Sequence, residues 1–85
     1  MGPKKWTIVR TVKKAPVRWA CKVGECSIEV FIDDVKFPDS YLTKHPFTGK
    51  TVATVARTAS LQEAMSAALA FAHHQIAGAL ASLRL

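Results

Sequence analysis

Four side chains could hold a metal if the fold brought them together: Cys21, Cys26, His73 and His74. Structural zinc sites combine closely spaced cysteines with histidines that converge on one point. Adjacent histidines on a helix point about 100° apart, so His73 and His74 do not readily share one ion. Both cysteines fall on the core face of the hairpin described below, which reads them as buried thiols. They sit diagonally in that hairpin, a poor arrangement for a disulfide.

Gly49-Lys50-Thr51 matches the end of a phosphate-binding P-loop. That motif needs a further glycine at position 44, which is Lys44, and a helix directly afterwards, where Thr51–Thr58 is β-rich. The tripeptide therefore reads as a turn. No serine or cysteine sits in a recognisable nucleophile elbow beside a histidine and a carboxylate. The sequence thus predicts a non-enzymatic protein with no catalytic, cofactor-binding or metal-binding residues.

Partner chemistry is better represented. Lys4, Lys5, Arg10, Lys13, Lys14, Arg18 and Lys22 crowd the first 22 residues without one acid, interleaved with Trp6 and Trp19. Such a cluster can hold phosphates or an acidic protein surface, and an exposed tryptophan could stack on a base. The competing reading is a solvated basic edge that keeps strands from aggregating. A second candidate lies on the C-terminal helix. Ala67, Ala70, Ala77, Gly78 and Ala81 would let another helix approach closely, with Phe71 and His74 adding contact area. Alanine is also simply the best helix former. A helix face so short of charge is nevertheless uncommon in a monomer, and self-association is expected there.

These groups need elements to place them. Ser60 and Glu63 have the spacing of a capping box, starting a helix that runs through Thr58–Leu85. Leu61, Ala64, Met65, Ala68, Leu69, Ala72, Ile76, Ala79, Leu80 and Leu83 form its core stripe at helical period. Lys4–Val12 reads as a first strand. Val17–Val23 and Cys26–Asp33 alternate around Gly24-Glu25, a two-residue hairpin loop. That loop sets Val23 opposite Cys26, Cys21 opposite Ile28, Trp19 opposite Val30 and Val17 opposite Ile32, all on one face. On the other face Arg18 and Lys22 lie diagonally around Glu29, with Phe31 beside Arg18. Residues 34–50, broken by Pro38, Pro46 and Gly49, read as an irregular connection with at most a short edge strand near Val35–Phe37. Thr51–Thr58 is a further strand.

The expected fold is one α+β domain spanning residues 1–85, a three- to four-stranded antiparallel sheet packed on one long C-terminal helix. Eighty-five residues, 49% of them hydrophobic and 21% charged, suit a single modest core. The net charge of +6 is unevenly spread, because residues 23–40 carry five acids against Lys36 alone. Polyanions and acidic protein surfaces are the natural partners of such a distribution. No secretory signal is expected from Met1-Gly2-Pro3-Lys4-Lys5, and His73, His74 and Gln75 interrupt the apolar helix at a depth where lipid disfavours them. A cytoplasmic protein with no membrane segment is the resulting expectation.

At the level of architecture alone, a small antiparallel sheet with one helix is similar to double-stranded-RNA-binding and antitoxin-type modules. The lysine-rich helix start of the former is missing at Thr58–Glu63. Two functions follow as expectations. One is a small protein-binding adaptor or inhibitor of the phage or mobile-element type, acting as a homodimer through the C-terminal helix. The other is a nucleic-acid-binding module that uses the basic N-terminal strands.

Overall fold

A computed structural model describes residues 5–24 and 26–83. Its elements are β1 (Trp6–Val12), β2 (Ala15–Val23), β3 (Cys26–Asp33), β4 (Phe37–Lys44), β5 (Thr51–Ala56) and α1 (Leu61–Leu83). The strands form one antiparallel sheet in the order β1-β2-β3-β4-β5, with the helix on one face. The class is α+β as expected, but the sheet has five strands and not three to four.

The extra strand is β4, in the stretch read as an irregular connection. Asp33 pairs with Phe37, yet Phe31 pairs with Leu42, so two residue steps along β3 span five along β4. That irregularity absorbs Pro38, Asp39 and Ser40, which are poor strand formers. Beyond it Leu42, Thr43 and Lys44 pair regularly with Ala53, Val52 and Thr51 of β5. Thr43 is buried and its hydroxyl donates to the Glu29 carbonyl at 2.7 Å. The turn before β4 is held by Asp33, whose Oδ1 accepts from the Val35 and Lys36 amides, both at 3.1 Å.

The central hairpin has the expected register: Val23 opposite Cys26, Cys21 opposite Ile28, Trp19 opposite Val30. Gly24 has a φ of +62°, which a side chain would resist. Arg18 Nη1 lies 2.8 Å from Glu29 Oε1, and its guanidinium carbon sits 4.4 Å from the Phe31 ring centre. The expected contacts of Arg18 are therefore formed, whereas Lys22 is exposed and makes no ion pair with Glu29. Cys21 is buried but Cys26, at the exposed strand end, is not, which corrects the reading of both as core thiols. Both are free.

Ser60 caps α1, its Oγ accepting from the Glu63 amide at 3.1 Å. The helix buries Ala64, Ala68 and Ala72 against Ile28 and Val30, and these five make the main core cluster. Small side chains on that line let the helix backbone come close to β3, β4 and β5. It approaches neither β1 nor β2. Leu61, Met65 and Leu69 on one flank pack on the cluster together with Trp6 and Trp19, which span the space towards the first two strands.

The outer end of the expected core stripe is a second correction. At 1.5 Å per residue the 23-residue helix is about 34 Å long, whereas an eight-residue strand spans only about 26 Å. The sheet runs out first. Leu80 and Leu83 are left 55% and 82% exposed.

Candidate docking surface on the uncovered hairpin

β1 and β2 form a hairpin whose tip is Lys13-Lys14, flanked by the pair Val12 and Ala15. Both lysines have positive φ, 51° and 68°, as a type I′ turn requires at its two central residues. Asn-Gly and Asp-Gly are the usual occupants, because a Cβ crowds the backbone in this region. The right-handed strand twist selects the turn type, and a two-residue loop leaves the lysines no alternative. Two ammonium groups thus stand at the tip of a hairpin that α1 does not cover.

β1 is an edge strand, hydrogen-bonded to β2 alone. Apart from Trp6, every one of its residues is exposed. Ile8, Val9 and Val12 are 58%, 53% and 44% accessible. The pairing with β2 is irregular around Arg10, which leaves its regular partner and faces Arg18. Lys5, Arg10, Lys13, Lys14 and Lys22 are all exposed.

The predicted basic set is therefore divided. Arg18 is half-buried and engaged by Glu29 and Phe31, so its charge is satisfied inside the sheet. Lys4 lies outside the described residues. The other five share the hairpin and its base. Nearby carboxylates are already occupied: Glu29 by Arg18, Asp34 by Arg57 at 2.8 Å, and Asp33 by the turn amides. Among the described residues no other ion pair forms, so no described carboxylate pairs with these five cations. A groove of about 470 Å³ runs between the hairpin and the β3–β4 turn, lined by Arg10, Val12, Val17, Phe31, Asp34 and Val35 among others.

The predicted self-association set divides as well. Ala70, His74, Ala77, Gly78 and Ala81 are exposed, while Ala67 and Phe71 are half-buried. Phe71 meets the His45 ring edge-on, with centroids 5.8 Å apart. It thus packs within the protein on the β4–β5 loop. Next to the exposed set, an apolar groove of about 360 Å³ opens between α1 and the β2–β3 hairpin, lined by Val23, Ile28, Leu69, Ala70, His73 and Ile76.

His45 was not singled out by its sequence context, although it organises the β4–β5 loop. Its Nδ1 accepts from the Phe47 amide at 3.2 Å and the Thr48 amide at 3.3 Å. Nδ1 must then be unprotonated, which assigns the proton to Nε2, 3.3 Å from the Gln75 Oε1 that accepts it. Loop and helix are joined through one imidazole. Gly49, with φ +71°, closes the loop as the turn residue expected of it. Phe47 at its tip is exposed.

Among the described residues no group of three or more His, Cys, Asp and Glu side chains is placed to hold a metal ion, and no helix is long and apolar enough to cross a membrane. The chain matches no protein-family model, no curated protein and no solved structure.

Proposed function

We propose that this protein is a non-enzymatic adaptor or inhibitor that docks on an acidic protein surface through its β1–β2 hairpin. The observation that carries the reading is the hairpin left bare by α1, with Ile8, Val9 and Val12 accessible among exposed lysines. Apolar contact supplies affinity, while the surrounding cations steer encounter and reject basic surfaces. Small size suits a phage- or mobile-element-type inhibitor, and two free thiols suit a reducing cytoplasm. Self-association through the C-terminal part of α1 completes the proposal, giving a homodimer that presents two hairpins.

The second reading, binding of nucleic acid, is favoured by the five exposed cations on and beside one hairpin. Two features count against it. Trp6 and Trp19 pack against the core cluster and are poorly placed to stack on bases. Beside Thr7 and Thr11, the exposed positions between the cations include the aliphatic Ile8, Val9 and Val12, which phosphates do not reward.

Affinity purification from nuclease-treated lysate, using the native chain and a Lys13→Glu/Lys14→Glu variant in parallel, tests the choice. A protein retained by the native chain and lost from the variant supports the adaptor. If retention instead depends on intact nucleic acid and collapses steeply with salt, the second reading takes its place.

A further inference from the structure

We infer that β1 is an acceptor edge, to which an extended acidic segment of the partner adds as a sixth strand. The inference rests on the adaptor reading and specifies how the contact is made. β1 has a seven-residue backbone with one side open, and its exposed Ile8, Val9 and Val12 offer apolar contacts. An added strand would satisfy the free amides and carbonyls, while its side chains meet those three residues. The other edge, β5, is shorter, and α1 lies close against it.

The charge selects the occupant. A second copy pairing antiparallel about Val9 would set Lys5 opposite Lys13 at both ends, and like charges directly opposed are destabilising. Neither β1 nor β2 supplies an acid to relieve that clash. A segment that alternates Asp or Glu with aliphatic residues meets both requirements, its carboxylates falling near Lys5, Arg10 and the Lys13-Lys14 turn. The irregular pairing around Arg10 interrupts the ladder, which discourages open-ended addition of strands but leaves Trp6–Ile8 regular.

The strain at the tip points the same way. Lys13 and Lys14 occupy the left-handed region although Asn-Gly would fit it without penalty. Strained backbone of this kind concentrates at ligand-contacting and switch regions.

The test uses the full chain and three labelled peptides of equal length: alternating Glu and Val, alternating Lys and Val, and the Glu-Val peptide with a central proline. Fluorescence anisotropy gives affinities at low and high salt, and amide hydrogen exchange locates the contact. The expected result is binding of the Glu-Val peptide with new protection confined to β1, weakened roughly tenfold by the proline and by Lys13→Glu/Lys14→Glu. The Lys-Val peptide should not bind. Equal affinity for the proline peptide would overturn strand addition yet leave an acidic protein partner standing. Protection on α1 or β5, or no Glu-Val binding at low salt, would overturn the inference as well. Tighter binding of an oligodeoxythymidine of the same length would overturn it together with the adaptor reading.

Discussion

The two ends of the sheet obey different rules. Against α1, β3 buries Ile28 and Val30, β3 and β4 also bury Phe31, Leu42 and Thr43, and among the described residues no buried side-chain nitrogen or oxygen lacks a partner. At the other end β1 buries nothing fully, and β2 contributes only Cys21 to the buried set. The difference originates in the helix. Its alanine line draws it close to β3, so its limited width cannot also reach β1. One region is specified by packing. The other is free to be specified by what it meets.

Substitutions of similar size should therefore have unequal effects, and this is the largest contrast expected. Leu42→Ala, at a site with no exposed surface, should lower unfolding free energy by about 3 kcal/mol or more. Ala68→Leu should cost about 1–3 kcal/mol, because the larger side chain pushes α1 off Val30. Ile8→Ala should change stability by less than about 0.5 kcal/mol. Urea unfolding followed by tryptophan fluorescence measures all three. An Ile8 effect as large as that of Leu42 would mean that β1 is covered in solution.

The hairpin tip breaks the comparison from the other direction. Lys13→Asn with Lys14→Gly relieves two left-handed lysines and should raise stability by about 1–2 kcal/mol. The same change should weaken binding to the acidic partner, since it removes both tip charges. Gain of stability with unchanged binding would reduce the lysines to an accident of sequence.

Sequence reading succeeded where local signals agreed. Gly24 and the alternation around it determined the register from Trp19–Val30 to Val23–Cys26, and Ser60 marked the start of α1. It failed at β4, because Pro38, Asp39 and Ser40 break the pattern while tertiary pairing carries the strand through a three-residue irregularity. Periodicity also placed Leu80 and Leu83 in the core, since it encodes direction around a helix and not where the opposing sheet ends. For the site, the basic cluster was legible as composition. That Arg18 is consumed internally and that the helix leaves β1 bare depend on three-dimensional placement, which no local pattern records.

A smaller effect is expected where the covered region has its own loop. His45 accepts two loop amides and contacts Gln75 on α1, so His45→Ala should cost about 1 kcal/mol. Gln75→Ala should cost less, and the double variant should fall short of the sum, because both changes delete the same contact. Strict additivity in a double-mutant cycle would show that the loop is not anchored to the helix through this imidazole.

The smallest effect on stability should come from the overhang of α1, where the largest effect on assembly is expected. Leu69, Ile76 and Leu83 are seven residues apart and Leu80 lies between the last two, so all four share one flank at 3.6 residues per turn. The same flank carries the apolar groove lined by Val23, Leu69 and Ile76. An antiparallel copy crossing near Ala77 would place its own Leu80 and Leu83 at that groove and offer its groove in return, as a two-fold contact requires. Leu80→Glu with Leu83→Glu should leave the urea midpoint nearly unchanged, both sites being exposed. Light scattering should then report half the mass found for the native chain. With Cys26 replaced by serine, a cysteine introduced at Ala77 should cross-link to itself across the axis, whereas one at Ala67 should not. A native chain that is monomeric at high concentration would sink the homodimer, and leave the hairpin as the molecule's one proposed interface.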